Sequence, residues 1–281
     1  MTSVLSVRGL SKEYPTFQLD SVSFELGAGS IMGFIGRNGA GKTTTLKSIL
    51  NLVHPSGGEI RFFGLDPADH EYEIKQRIGY SGGTVSWFRK KKIRDIVAVA
   101  KTFYTNWDDA TFEKITARFA IDTAKTPEQL SEGMKVKLNL ALALSHKAEL
   151  LILDEPTSGL DPVSREELLE VFLTLRDEGA SILFSTHITS DLEKCADTIT
   201  YIKNGRIVAS GDMERFLAAY RLISGGAAMS DAQQRAVIGE CVTKNGLTRL
   251  VKTESAPLFA GFSVSDPTLE EIMVHMDKEG N

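Results

Sequence analysis

The chain of 281 residues contains only two cysteines, Cys195 and Cys241. Two cysteines are too few for a disulfide framework, so the sequence excludes the small disulfide-stabilised scaffolds and suits a reducing compartment. Hydrophobic residues make up 42% and charged residues 25%, which are ordinary values for a protein with a buried core. At about 150 residues per domain, the length predicts one large domain, alone or with a small one.

Long apolar runs are also missing. No stretch approaches the roughly 18 apolar residues that span a bilayer, and the richest run, Leu138–Leu144, is interrupted by Asn139. The first residues show no basic segment followed by a long apolar one, so we expect no secretory signal. Any contact with a membrane is therefore predicted to be indirect, through another subunit.

The chain has no excess of basic residues. Lys and Arg total 32, Asp and Glu total 37, and the net charge is −5. Proteins that bind the phosphate backbone broadly usually carry a positive excess. We therefore expect no nucleic-acid partner.

Short apolar runs alternate with helical patterns over most of the chain. Ser30–Ile35, Leu150–Leu153 and Ser181–Ser185 are typical of buried strands, and strands separated by helices predict a mostly parallel sheet flanked by helices. Val4–Leu10 and Leu19–Leu26 alternate apolar and polar residues, which predicts half-buried strands at an antiparallel edge. The fold class is therefore α/β.

Local signals divide this fold further. From about residue 84 to 147 the apolar spacing is helical, which predicts an inserted helical subdomain. Asp161 and Pro162 are the cap and first residue of a predicted helix that ends at Gly179. Asn204-Gly205 predicts a two-residue hairpin turn.

The composition changes after about residue 215. We predict a large domain over residues 1–215 and a small α/β extension over 216–281. The segment Ser224–Ala228 resembles a hinge. The extension is predicted to contain a helix over Asp231–Gly239, one or two short strands, and a final helix opened by Pro267.

The strongest motif fits G-x-x-x-x-G-K-[ST] between a predicted strand and a predicted helix, the context that a phosphate-binding loop requires. Glycines let backbone N–H groups surround an anion, and the helix adds its positive end. We expect Lys42 to reach the β- and γ-phosphates of ATP and Thr43 to offer its hydroxyl to Mg²⁺. The predicted nucleotide-binding residues are Gly36, Arg37, Asn38, Gly39, Ala40, Gly41, Lys42, Thr43 and Thr44.

Two carboxylates follow the apolar run Leu150–Leu153. Asp154 and Glu155 lie where that strand ends, and open α/β sheets bind ligands at the carboxyl ends of their strands. Alone, such a pair is often a solvated turn. Beside a phosphate loop, it predicts that Asp154 holds Mg²⁺, usually through water, and that Glu155 aligns the attacking water.

With these motifs the sequence resembles the ATP-binding cassette (ABC) ATPases, the nucleotide-binding subunits of ABC transporters, over about residues 4–215. Leu130–Met134 is similar to the family signature motif. The resemblance implies that Ser131 and Gly133 face the nucleotide held by a second subunit. Ser131 is also a good cap for the following helix, which is the structural alternative.

Three further segments match the family in order. Ser158–Asp161 resembles the D-loop, which contacts the partner subunit. The resemblance implies that His187 is the switch histidine, bonding the γ-phosphate, and that Tyr14 stacks on adenine. The alternatives are a structural histidine and a tyrosine that packs at a strand edge.

Two departures from the family pattern bear on hydrolysis rate and coupling route rather than on nucleotide binding. Gly83 stands where the family commonly has Gln, and the signature carries Glu132 and Met134 in place of Gly and Gln. The LSxGM form resembles a branch of bacterial exporter ATPases that includes peptide exporters. A basic and aromatic cluster, Trp87–Lys92, is either a solvated charge run or a docking site for a membrane subunit.

The resemblance implies an ATPase subunit at the cytoplasmic face of the membrane, peripheral to it. Its expected partners are an integral membrane subunit and a second nucleotide-binding subunit, identical or related. One alternative is a soluble cassette ATPase in cofactor assembly or nucleic-acid transactions. Another is an ATP-gated regulatory module with little hydrolysis.

Overall fold

The computed structural model describes residues 3–82, 88–225, 229–244 and 246–277. Over this part of the chain the contacts separate a large unit, residues 1–188 with 195–210, from a small unit, residues 189–194 with 211–281. The domain boundary after residue 215 stays a prediction. Residues 83–87, which include Gly83 and Trp87, and residues 226–228 of the predicted hinge lie outside the described residues.

The strands and helices alternate along the chain. The strands are β1 (Ser3–Tyr14), β2 (Phe17–Gly27), β3 (Ile31–Ile35), β4 (Gly57–Phe62), β5 (Ile78–Ser81), β6 (Leu150–Asp154), β7 (Ser181–Thr186), β8 (Thr198–Lys203), β9 (Arg206–Asp212), β10 (Tyr220–Ser224), β11 (Val237–Thr243), β12 (Gly246–Lys252) and β13 (Ser263–Ser265). The α-helices are α1 (Lys42–Ile49), α2 (Pro67–Arg77), α3 (Ile93–Ala100), α4 (Asp109–Arg118), α5 (Glu132–Ser145), α6 (Pro162–Asp177), α7 (Thr189–Cys195), α8 (Met213–Ala218), α9 (Asp231–Ala236) and α10 (Leu269–Asp277).

The centre of the large unit is a sheet whose described strands run in the order β5-β6-β7-β3-β8-β9. The pairs from β5 to β8 are parallel. Every residue of β3, β6 and β7 is buried, as expected for strands covered on both faces. The predicted α/β fold with a mostly parallel sheet is confirmed, and the parallel register brings the carboxyl ends of β3, β6 and β7 to one edge.

The predicted antiparallel edge forms a sheet of its own, in the order β2-β1-β4 among the described strands. Both β1 and β2 are longer than their alternating patterns indicated, because bulges in β1 let the pairing continue. Their buried residues belong to the same core as the parallel sheet, and the rings of Phe24 and Phe34 pack with centroids 5.4 Å apart.

The inserted helical segment contains α3, α4 and α5 within its described residues. Ile93 and Val97 of α3 are buried with Phe112 and Leu138 in a separate apolar cluster. The helical spacing read from the sequence therefore marks the faces that pack together. The helix predicted after Asp161 is also confirmed as α6, with Pro162 at its first position.

The predicted Asn204-Gly205 turn joins β8 to β9. Both residues have positive φ, 49° and 76°, as a two-residue hairpin turn requires. The Gly205 N–H donates to the Ala40 carbonyl and the Gly205 carbonyl accepts from the Asp20 N–H, each at 2.9 Å. The hairpin turn therefore supports the loop between β3 and α1.

The small unit corrects the prediction for the tail. Its described strands form an antiparallel sheet in the order β11-β12-β10-β13, whereas one or two strands were expected. The helix predicted to end at Gly239 ends at Ala236, because Val237 and Ile238 enter β11. Gly239 packs so closely on the His275 backbone of α10 that a side chain there would overlap it. The final helix is confirmed as α10.

Replacing Gly205 by Ala tests how tightly the hairpin turn fits. A β-carbon there would overlap the Gln18 carbonyl, and φ is positive. We expect the free energy of unfolding to fall by roughly 2–4 kcal/mol, from conformational strain and overpacking together. Gly179→Ala is the control, because φ is 98° and, its two chain neighbours apart, no heavy atom of the described residues lies within 4 Å of the place a β-carbon would occupy. It should cost roughly 1–2 kcal/mol. Equal losses in urea denaturation would show that the close contact contributes nothing.

Candidate active site

The phosphate loop connects β3 to α1, and its glycines are enclosed. A β-carbon on Gly36 would lie 2.9 Å from the Ile202 side chain and closer still to the Ile202 carbonyl. Gly41 has φ 114°, with Phe17 2.9 Å and Leu19 2.8 Å from the place a β-carbon would occupy. Neighbouring residues thus leave no room for side chains at Gly36 and Gly41. The polar groups that can face a ligand here are backbone N–H groups of the loop and of the first turn of α1.

The remaining loop residues lie where the motif predicts. Arg37, Asn38 and Gly39 are exposed, whereas Ala40 is buried. Thr43 and Thr44 are partly buried in the first turn of α1, and no side chain caps this helix. The start of α1 can therefore receive an anion.

Lys42 brings its charge under the loop. Its side chain is only 5% exposed, and Nζ donates to the Gly36 carbonyl at 2.7 Å. The same Nζ lies 3.0 Å from Oε1 of Glu155. Because a buried ammonium needs a counter-charge, this ion pair fixes Glu155 beside the phosphate loop.

The acidic pair lies at the carboxyl end of β6. Asp154, 7% exposed, is the last residue of the strand, and its Oδ1 accepts from the Ser185 hydroxyl at 2.5 Å. Glu155 follows with φ 52°, a left-handed conformation that is uncommon outside glycine. Ser185 was not among the predicted site residues, because its only signal in the sequence is a small polar residue in an apolar strand.

His187 completes a chain of contacts with Glu155. Nδ1 of His187 lies 2.8 Å from Oε2 of Glu155, while Oε1 faces Lys42. The structure thus brings together the three residues predicted to be catalytic. Glu155 and His187 are brought together by the parallel register of β6 and β7, which sets Asp154 opposite Ser185, whereas Lys42 comes from α1 after β3.

Tyr80 of β5 also lies near this acidic edge. Burial, and secondarily the negative charge of Asp154, raise the pKa of the Tyr80 phenol. A β-carbon on Gly82 would overlap the Tyr80 hydroxyl group. The phenol therefore stays protonated and covers the end of β5.

Tyr14 is the last residue of β1 and is 41% exposed. It pairs in register with Phe17 of β2, whose ring reaches Gly41. The Lys12 ammonium lies 5.4 Å from the centroid of the Tyr14 ring. The hairpin thus joins the Tyr14 strand end to the phosphate loop through Phe17, a contact with no signal in the sequence.

The signature residues Ser131 and Gly133 stand apart from this group. Ser131 caps α5, its hydroxyl accepting from the Met134 N–H at 3.3 Å. Gly133 is buried against Leu160, 3.2 Å from the place of a β-carbon. The Glu132 carboxylate pairs with Lys135 at 2.6 Å, so its negative charge at the helix start is compensated.

The D-loop segment ends in a capped helix. The Asp161 carboxylate accepts from the Val163 and Ser164 N–H groups, each at 3.0 Å. Bonds from the Ser164 hydroxyl and backbone N–H hold the pKa of Asp161 below its usual value. Asp161 is therefore ionised at neutral pH and fixes the start of α6.

The basic cluster is only partly described. Phe88 is 61% exposed, and Arg89 forms an ion pair with Glu128 at 3.2 Å. Trp87 lies outside the described residues. The docking role of this segment stays a prediction.

The donor set suits magnesium. Asp154 supplies a carboxylate at the end of β6, Thr43 supplies a hydroxyl on α1, and α1 packs against β6. Mg²⁺ at nucleotide sites is held by one or two protein oxygens together with substrate phosphates. Over the described ranges no three His, Cys, Asp or Glu residues form a metal cage, and Asp154 with Thr43 fits the nucleotide-site pattern.

Comparison with known proteins decides the family. The family model described as ABC transporter matches residues 19–158. The bacitracin transport ATP-binding protein BcrA of Bacillus licheniformis is 34% identical over 212 residues, which cover 74% of this chain and 69% of that protein. The chain belongs to the ABC transporter family. It is an ATP-binding cassette, an ATPase of the kind coupled to transport.

Other relatives agree with this assignment. A fluoroquinolones export ATP-binding protein of Mycobacterium tuberculosis is 32% identical over 212 residues, covering 74% of this chain and 70% of that protein. A solved ATP-binding subunit of an ABC transporter is 30% identical, with a TM-score of 0.68, and the match covers 75% of this chain and 91% of that structure. Among the described residues, no helix is long and apolar enough to span a membrane.

Removing Glu155 tests the buried ion pair of the cassette. Glu155→Ala leaves the Lys42 ammonium without its counter-charge, so we expect the free energy of unfolding to fall by roughly 1–3 kcal/mol. Glu155→Gln keeps an acceptor oxygen and should lose less. The control, Glu132→Ala, removes a more exposed pair and should cost less than about 1 kcal/mol. Urea denaturation compares the three variants, and an unchanged Glu155→Ala would contradict the argument.

Proposed function

We propose that the cassette binds and hydrolyses ATP to drive a partner membrane subunit, through closure of a dimer of nucleotide-binding subunits. The observation that carries the proposal is the chain of contacts from Lys42 through Glu155 to His187, beside Asp154. A buried cation, a carboxylate and an imidazole at the carboxyl edge of the sheet meet the needs of phosphoryl transfer, which depends on position and charge compensation.

In this proposal the residues from Gly36 to Thr44 hold the phosphates. Loop and helix N–H groups bind the phosphate oxygens, and the Lys42 ammonium moves from Glu155 to the β- and γ-phosphates. Tyr14 offers an exposed ring to the adenine base. Thr43 and Asp154 hold Mg²⁺, which when bound neutralises phosphate charge.

Hydrolysis depends on one carboxylate. When the γ-phosphate becomes the counter-charge of Lys42, the Glu155 carboxylate is free to accept a hydrogen bond from water. As the oxygen of that water bonds to phosphorus, Glu155 receives the proton of the water. The bond from phosphorus to the β–γ bridging oxygen breaks, and ADP leaves with that electron pair. His187 contacts the other oxygen of Glu155 through Nδ1. A neutral imidazole has one N–H, so the remaining ring nitrogen donates to the γ-phosphate in the tautomer whose Nδ1 accepts from the Glu155 carboxyl once that group has taken the proton of water.

The signature residues act on a second subunit. Ser131 and Gly133 begin α5, and their contacts are with Met134 and Leu160. We infer that the start of α5 faces a nucleotide held by a second cassette, identical or related, where helix N–H groups receive the γ-phosphate.

The direction of transport proposed is export. The relative named for fluoroquinolones export supports this direction, and the LSxGM signature supports the narrower proposal of a peptide substrate. The proposed location is the cytoplasmic face of the membrane, reached through an integral membrane subunit.

Glu155→Gln should separate binding from hydrolysis. Without a base, steady-state phosphate release should fall at least about 100-fold, and an ATP-bound dimer should accumulate with MgATP. Phosphate release and sedimentation measure the two effects. Unaltered turnover would remove Glu155 from the mechanism.

Lys42→Ala is the companion variant. It removes the buried charge, so MgATP affinity should fall at least tenfold and the dimer should not form. Titration with a fluorescent ATP analogue measures the affinity. Parent-like affinity in Lys42→Ala, or no MgATP binding by the unsubstituted protein, would overturn the proposed function.

The helix-capping role and the proposed phosphate-binding role of Ser131 can be tested separately. Ser131→Ala removes the cap of α5 and should cost about 1 kcal/mol of stability, whereas Ser131→Asp keeps a capping oxygen and should fold as well as the parent. Ser131→Asp nevertheless adds a carboxylate where a γ-phosphate is proposed to bind, so it should abolish the ATP-induced dimer. A normal dimer in Ser131→Asp would leave Ser131 as a cap alone.

A further inference from the structure

Ser185 occupies a fully buried position in β7, directly opposite Asp154 in the neighbouring strand. The two residues before it, Leu183 and Phe184, are apolar and equally buried. A hydroxyl in such a strand loses its water and needs partners within the protein. Its partners are the two acidic residues at the end of β6.

The hydroxyl of Ser185 makes two bonds of opposite direction. It donates its one hydrogen to Oδ1 of Asp154 at 2.5 Å, and it accepts from the backbone N–H of Glu155 at 3.0 Å. The Ser185 carbonyl accepts from the same N–H at 3.1 Å. With its single hydrogen committed to the carboxylate, the hydroxyl orients both residues at once.

The bonds to Glu155 support an unfavourable backbone. Glu155 has φ 52°, a left-handed conformation that is unfavourable for residues other than glycine. This turn sends the side chain of Glu155 to Lys42 at 3.0 Å and to His187 at 2.8 Å. The two acceptors on Ser185 therefore stabilise the conformation that aims the carboxylate.

The bond to Asp154 acts on the other acid. A carboxylate has about four lone-pair directions, and the hydrogen from Ser185 occupies one of them and fixes the orientation of the rest. Removing a hydrogen-bond partner of a ligating carboxylate typically lowers metal affinity or activity by 10- to 100-fold. The serine thus bears on the residue proposed to hold Mg²⁺ without itself being a ligand.

We propose that Ser185 is a positioning residue that couples the metal-binding carboxylate of Asp154 to the base Glu155. The inference rests on the proposed function, and it adds a residue that neither the motifs nor the predicted site contained. It also gives β7 a role in setting the geometry of the acids at the end of β6.

The chain offers a matched control on the same strand. Ser181 begins β7, is 1% exposed, and its hydroxyl accepts from the Gly29 N–H at 2.9 Å. Ser181→Ala removes a buried hydroxyl and one backbone bond, as Ser185→Ala does, at the opposite end of the strand. A purely structural role predicts the same behaviour for both variants.

The test compares Ser185→Ala, Ser185→Thr and Ser181→Ala in the full chain. Binding of a fluorescent ATP analogue is titrated with EDTA and with increasing Mg²⁺, and phosphate release is measured over the same Mg²⁺ range. Ser185→Ala should leave affinity in EDTA unchanged, raise the Mg²⁺ concentration for half-maximal binding about tenfold, and lower kcat more than it changes KM. Ser185→Thr keeps the hydroxyl and should restore the Mg²⁺ dependence.

The outcomes separate the two proposals. A Ser185→Ala variant that matches Ser181→Ala in Mg²⁺ dependence and in kcat would overturn the positioning role while leaving the ATPase proposal intact. An unsubstituted protein without affinity for MgATP would overturn both.

Discussion

The ammonium group of Lys42 lies almost wholly out of water, and an unpaired charge in that setting would be costly. The Gly36 carbonyl and the Glu155 carboxylate meet this requirement from two directions. Because the Lys42 ammonium binds both partners, it joins the loop after β3 to the end of β6. His187 on the far oxygen of Glu155 adds the segment after β7, so three elements of the sheet converge on one charge. In the proposed function, phosphates entering the loop would compete with Glu155 for the same ammonium, which would link arrival of the nucleotide to release of the carboxylate.

Local motifs made much of this site predictable from the sequence. The phosphate loop, the acids after Leu153 and the Asn204-Gly205 turn are each encoded within a few consecutive residues, and the structure contains each in the predicted context. Ser185 was not predictable in the same way. Its hydroxyl acts on a neighbouring strand, and nothing in Ser181–Thr186 states which residue of β6 it will face.

The small unit contains more strands than the hydrophobic pattern of the sequence predicted, for a related reason. Short apolar runs such as Val237-Ile238 are compatible with helix and with strand, and pairing with other strands decides between them. The register of β11 against β12 makes that decision here, and a single sequence does not display it. The phosphate loop likewise depends on residues far from its motif. Phe17 packs on Gly41, and Gly205 bonds to Ala40.

The uneven exposure of the phosphate loop has a practical side. Gly36 and Gly41 are enclosed by residues of neighbouring strands, whereas Asn38 between them is exposed to solvent. A side chain can therefore be replaced at Asn38 with less steric conflict than at Gly36 or Gly41, although one motif contains all three residues. A thiol placed at Asn38 would lie within the segment proposed to hold the phosphates, so protection of that thiol from a labelling reagent by MgATP would report nucleotide binding. Cys195 is buried and Cys241 is only partly exposed, so a single added thiol at Asn38 would need little more than removal of Cys241 to be labelled selectively.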